Sequence, residues 1–184
     1  FYPILVGYAS LLFKDLELAG RVVSMVMGSL IVIPVYLLSV EFTSRKGGLL
    51  AAILTMSWWS IRSWSGEVMS QATYMTMALF GIYLLWIAVS RRSMLAAISG
   101  GACMALAHLT RSEGIIVYVA ISFVFLIGYA SKRISGKGLL CLLLSWAAFW
   151  LVFSPYFILL HKLTGAWQVT GKSRMAIADG LSMY

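Results

Sequence analysis

Long apolar segments joined by two chemically different kinds of short junction constrain this chain more than any other feature. About six such segments follow one another along 184 residues. One set of junctions is basic: Ser44-Arg45-Lys46-Gly47-Gly48, Ser90-Arg91-Arg92-Ser93, and Ser131-Lys132-Arg133 through Lys137. The other set mixes acid, base and hydroxyl: Arg62 through Glu67 and Gln71, and Thr110-Arg111-Ser112-Glu113-Gly114. About 20 apolar residues suffice to cross the hydrocarbon layer as a helix. Within that layer only a helix or a closed barrel satisfies its own backbone. The pattern therefore predicts an all-α, polytopic transmembrane helical bundle with a polar site on one face.

Composition excludes the soluble alternatives. Hydrophobic residues make up 61% of the chain and charged residues 11%, against about 25% charged in a soluble domain. The net charge of +8 does not point to nucleic acid, because much of it sits in short loops between apolar spans, as in cytoplasmic loops of membrane proteins. Cys103 and Cys141 fall inside apolar segments and read as reduced packing residues. His108 and His161 are too far apart to suggest a ligand motif. The chain starts at Phe1, with no basic-then-apolar leader, and ends at Tyr184 in a polar stretch, so it reads as a segment of a longer protein.

Phe1–Phe13, interrupted by Pro3 and Gly7, reads as a juxtamembrane helix. The expected spans are Leu18–Val40, kinked at Pro34; Leu49–Trp59; Ala72–Val89; Met94–Leu109; Ile115–Ala130; and Leu139–Leu160, which carries Pro155. Residues 161–184 read as the start of an outer loop. The fourth and fifth spans are short for about 30 Å of hydrocarbon, so the Thr110–Gly114 junction is expected to dip below the membrane surface. In the fourth span Ala97, Gly101 and Ala105 recur every four residues, a stripe that lets another helix approach closely.

Basic residues divide evenly, seven in the basic loops and seven on the other face. The loop residues are clustered, whereas Lys14, Arg62 and Arg111 lie within five residues of an acid. On that ground the basic loops are assigned to the cytoplasm, and the mixed junctions face the periplasm or exterior.

Ionisable groups at membrane depth are costly unless paired or wetted. Arg111 and Glu113 lie two apart beside Thr110 and Ser112, with Gly114 allowing the chain to reverse. They either close the hairpin or contact a substrate phosphate or sugar. Glu67 and Gln71 are four apart, and on a helix they stack on one face. They either complement the helix dipole or line a cavity. Arg21 either snorkels to the interface or binds a phosphate, and the tail with Trp167, Lys172 and Arg174 reads first as an interfacial anchor. There is no nucleophile elbow, phosphate-cradling glycine loop, zinc spacing or pair of intramembrane acids. Physical reasoning reaches a membrane protein with an outward polar cavity and leaves transporter and enzyme open.

Several motifs go further. Tyr2-Pro3-Ile4-Leu5, Leu18-Ala19-Gly20-Arg21-Val22-Val23-Ser24, Gly48-Leu49-Leu50-Ala51-Ala52, Ser65-Gly66-Glu67-Val68-Met69-Ser70, Leu109-Thr110-Arg111-Ser112-Glu113-Gly114 and Pro155-Tyr156 with Leu163-Thr164-Gly165 occur in order. Together they resemble GT-C type glycosyltransferases that use lipid-linked sugars, in the protein O-mannosyltransferase and aminoarabinose-transferase-like branch (glycosyltransferase family 39/83-like). The resemblance implies sugar transfer from a polyprenyl-phosphate donor to a protein, lipid or glycan acceptor at the outer face of a bacterial or archaeal plasma membrane. It implies Arg111, Glu113, Glu67, Gln71, Arg21, Tyr2 and Lys172 as substrate-binding candidates, with no bound cofactor and the metal requirement open. It also implies a general-base carboxylate in an outer loop upstream of Phe1. Gln71 stands where relatives often carry an acid, and Ser112 replaces the usual proline. The alternative function is a transporter or flippase for a lipid-linked or anionic solute.

Overall fold

Short polar side chains start three of the helices by accepting a hydrogen bond from a backbone N–H that the first turn leaves unpaired. Asp15 accepts from the amide of Glu17 at 2.9 Å, Ser44 from Gly47 at 3.3 Å and Ser93 from Ala96 at 3.3 Å. Two of the basic junctions thus carry their own capping serines, beside the arginines that suggested topology. The computed structural model describes residues 1–131 and 136–165, and it is helical with no strand among them.

The helices are α1 (Tyr2–Phe13), α2 (Leu16–Leu30), α3 (Val32–Phe42), α4 (Arg45–Ser57), α5 (Trp59–Gly66), α6 (Ser70–Arg91), α7 (Met94–Thr110), α8 (Glu113–Ala130) and α9 (Gly136–Thr164). Three stretches are long and apolar enough to cross a membrane: Leu16–Phe42, Ser70–Arg91 and Gly136–Leu163. Helices α7 and α8, of 17 and 18 residues, reach about 26–27 Å at 1.5 Å per residue. They are short, as expected for that pair. The expected span at Leu49–Trp59 is corrected: α4 has 13 residues, and the extended backbone of Trp58, ψ 119°, separates it from α5.

The prolines behave differently from one another. Pro34 cannot donate to the Leu30 carbonyl, and the hydrogen-bond ladder is interrupted at Ile31 between α2 and α3, although Ile31 itself keeps helical backbone, φ −56° and ψ −34°. Pro3 lies at the start of α1, where no intrahelical partner is lost, and α1 continues through Gly7 rather than being interrupted there. Pro155 leaves α9 continuous. The Ser154 hydroxyl donates to the Leu151 carbonyl at 3.1 Å, the acceptor that the missing Pro155 N–H would have used, which is how membrane helices tolerate proline. Ser154→Ala is expected to lower stability by about 1 kcal/mol, a fall of roughly 2–4 °C in the melting temperature. Thermal unfolding of the full-length protein in detergent checks this.

The core forms where α6, α7, α8 and α9 meet, with Leu85, Met104, Tyr118, Phe149 and Phe153 buried together. The Ala97–Gly101–Ala105 stripe is buried, and Gly101 rests against the backbone of Ser145 on α9, so the small residues admit a neighbouring helix as expected. Ser145 and Tyr118 exchange a buried hydrogen bond at 2.7 Å. Trp146 donates to Ser122 at 3.0 Å and stacks on Tyr118 with ring centroids 4.2 Å apart. Cys141 is buried and Cys103 half-buried, and neither forms a disulfide.

The two ends of the bundle differ chemically. At one end Glu41 of α3 pairs with Arg91 of α6, while Phe42 packs on Trp86 with ring centroids 4.7 Å apart. The basic face therefore holds an acid after all, donated by the end of α3. At the other end lie the start of α1, the first half of α2, the α5–α6 link and the α7–α8 turn.

Candidate functional site

The α7–α8 turn is shaped by contact before it is shaped by charge. Thr110 ends α7 with its hydroxyl on the Leu106 carbonyl at 2.7 Å, and Arg111 leaves the helix in extended backbone, φ −145° and ψ 135°. Gly114 lies directly on the last turn of α7. A Cβ there would approach the His108 nitrogen to 2.6 Å and its Cα to 2.7 Å. The glycine thus allows α8 to begin immediately beside α7 and holds Glu113 within reach of Arg111.

The Arg111 guanidinium meets three acceptors. Nη2 donates to Glu113 Oε1 at 2.9 Å and Nε to Oε2 at 3.4 Å. Nη1 donates to the side-chain oxygen of Gln71 on the first turn of α6. The hydrogen-bonded Glu113 carboxylate raises the Arg111 pKa above its ordinary value, so the guanidinium stays charged. The side chains of Arg111 and Glu113 remain 30% and 47% exposed, so the pair lies at the surface of the bundle.

Neighbouring contacts fix this end of the bundle. The Phe1 backbone nitrogen donates to the Leu109 carbonyl at 2.8 Å. Tyr2 Oη lies 3.2 Å from Ser24 Oγ and 3.4 Å from the Gly20 carbonyl. Ser24 donates to the Met69 carbonyl at 3.2 Å, and Thr76 to the Met27 carbonyl at 2.6 Å. Together these bonds tie α1 and α2 to the α5–α6 link and to the start of α6, which carries Gln71.

Of the residues singled out from sequence, Arg111, Glu113 and Gln71 are brought together. Tyr2 is not joined to them; its hydroxyl is engaged in packing α1 on α2. Arg21 lies on the exposed side of α2 and pairs with Glu17 one turn earlier at 2.6 Å. The expected stacking of Glu67 and Gln71 is corrected: α6 starts at Ser70, and Glu67 lies before it in extended backbone, φ −110° and ψ 160°. Glu67 is exposed and accepts from Ser63 at 3.4 Å. Lys172 lies outside the described residues, as do Trp167, Arg174, Lys132 and Arg133. No group of three His, Cys, Asp or Glu side chains able to hold a metal ion occurs among the described residues.

Sequence reasoning missed Tyr74. It lies three residues after Gln71 on the same side of α6, within electrostatic range of both Glu113 and Arg111. The signal available was the spacing from Gln71.

Residues 1–159 match the family described as dolichyl-phosphate-mannose-protein mannosyltransferase. The chain belongs to that family. The match covers the described bundle up to the last turns of α9, including every residue of the Arg111 cluster. This mannosyltransferase family is GT-C-like, and its members are membrane glycosyltransferases, in keeping with the apolar helices seen here. No curated protein and no solved structure matches the chain.

Proposed function

We propose that the chain is part of an integral-membrane glycosyltransferase that moves a sugar from a polyprenyl-phosphate donor to an acceptor at the outer face of the membrane. The observation that carries this reading is the charged Arg111 held by Glu113 and Gln71 at the acid-containing end of the bundle, in a chain of this family. An arginine gripped on two sides is preorganised, so it can meet developing negative charge without reorganising.

In the proposed reaction the acceptor oxygen attacks the anomeric carbon as the bond from that carbon to the phosphate oxygen breaks. The acceptor proton goes to a carboxylate in an outer loop preceding the Tyr2-Pro3 stretch. The electron pair of the broken bond goes to the phosphate, giving polyprenyl phosphate, whose charge Arg111 stabilises. Glu113 and Gln71 orient the guanidinium. The prenyl chain lies along α1, where Ile4, Tyr8, Leu11 and Leu12 are exposed. A transporter of this kind would be expected to carry broken helices in both halves, and the continuous α9 does not favour that reading.

Incubating the purified full-length protein in vesicles with polyprenyl-phosphate mannose tests the proposal. Sugar transfer with stoichiometric release of polyprenyl phosphate is expected. Movement of the intact donor across the bilayer without transfer would overturn it in favour of the transporter. Arg21→Ala is expected to change the transfer rate by less than about twofold, because Arg21 is exposed and held by Glu17, and exposed ion pairs contribute little. Rates measured at saturating and limiting donor check this.

A further inference from the structure

Three small residues on one face of α2 form the seat for the α5–α6 link. Gly20, Ser24 and Gly28 recur every four residues and are buried. A Cβ at Gly20 would approach a Val68 methyl to 2.6 Å, and one at Gly28 would run into the Ser65 side chain. The link therefore lies directly on α2. Between the two glycines Ser24 is fully buried, and its hydroxyl donates to the Met69 carbonyl at 3.2 Å. Tyr2 Oη lies 3.2 Å from Ser24 Oγ. With the one Ser24 proton on Met69, it is the Tyr2 hydroxyl that donates to Ser24. Helix α6 starts from Met69, and Gln71, two residues on, holds Nη1 of Arg111. The Phe1 backbone nitrogen bonds to the Leu109 carbonyl, two residues before Arg111. The start of α1 thus holds both sides of the Arg111 clamp, one directly and one through Ser24.

We propose that Ser24 is a positioning residue for sugar transfer, with Tyr2 as its donor, setting the first turn of α6 so that Gln71 meets Arg111. This rests on the glycosyltransferase reading for the reaction and adds two residues that act through others. Gln71 can grip the guanidinium only where the first turn of α6 puts its amide. The bond from Ser24 pins that turn at its first residue, and the glycines on either side let the link come close enough to make it. Arg111 acts on charge that develops as the bond to the phosphate breaks. A displaced Gln71 is therefore felt in kcat more than in donor binding.

The test measures transfer from polyprenyl-phosphate mannose by the full-length protein in vesicles, with kcat and donor KM determined separately. Ser24→Ala removes one hydroxyl and suits the helix. It is expected to lower kcat about tenfold, because small displacements near the reacting groups are costly. Donor KM is expected to stay within about twofold. In a Gln71→Ala background the same substitution is expected to cost less than about twofold further, because its route is already cut. Tyr2→Phe keeps the ring and is expected to lower kcat about threefold, a loss that Gln71→Ala likewise absorbs. It carries the test alone if Ser24→Ala does not fold. Losses that multiply with that of Gln71→Ala, or an unaltered kcat in the variant that carries the test, overturn the positioning role while the glycosyltransferase reading stands. An unaltered protein that transfers no sugar overturns both.

Discussion

Arg111→Ala in the full-length protein is expected to lower sugar transfer by roughly 10²–10³-fold, the scale on which loss of one preorganised charge-stabilising donor is felt. The fold should survive. Glu113 is 47% exposed, and exposed pairs of this kind add little to stability. A collapse in turnover with an almost unchanged melting temperature is therefore the expected combination. Arg111→Lys separates charge from geometry. A lysine keeps the positive charge but cannot reproduce the planar fork that spans Glu113 and Gln71, and about a tenfold loss is expected. Transfer by Arg111→Ala at the unaltered rate would remove Arg111 from the proposed chemistry.

Gly101→Val is expected to have the largest effect on stability. A Cβ at Gly101 would lie 2.7 Å from the Ser145 carbonyl carbon and 2.9 Å from its Cα, with the carbonyl oxygen closer still. Those are backbone atoms, which cannot swing aside, so α7 and α9 must separate. Separation would loosen the 2.7 Å bond between Tyr118 and Ser145 and the packing of Met104 with Phe149. Overpacking of this kind costs about 1–3 kcal/mol and occasionally more, a fall of roughly 2–12 °C in melting temperature. Gly7→Ala is the matched control, because a Cβ at Gly7 meets nothing within 4 Å and alanine favours the helix. A Gly101→Val protein that melted with the unaltered one would show that α7 and α9 can part at no cost.

What was legible in the sequence follows the range of the forces involved. Apolar runs write helices directly, so α6 and α9 lie where hydropathy put them. The stripe at Ala97, Gly101 and Ala105 told correctly of a close neighbour, without saying that the neighbour was Ser145. Breaks were harder. Pro34 and Pro155 look alike in sequence, yet one is preceded by an interruption at Ile31 and the other is rescued by the preceding serine. Arg111 and Glu113 were readable because they are two residues apart. The partnership of Arg111 with Gln71 spans 40 residues and depends on how α6 meets α7, which no local spacing records. Glu67 was misjudged through helix register: with α6 starting at Ser70, a four-residue interval no longer means a shared face. Tyr74 went unnoticed because a tyrosine in an apolar helix looks like ordinary packing until its neighbours are known.

The bond between Gln71 and Arg111 also has a bearing on biogenesis. As a chain is threaded into a bilayer in order of synthesis, α6 arrives before the turn that carries Arg111 has been made. Until then the amide of Gln71 lacks the guanidinium it holds in the finished bundle. The latch closes only after α7 has folded back along α6 and α8 has begun. A bundle of this build would thus acquire its cationic centre late, and ligand capture could serve as a readout of completed insertion.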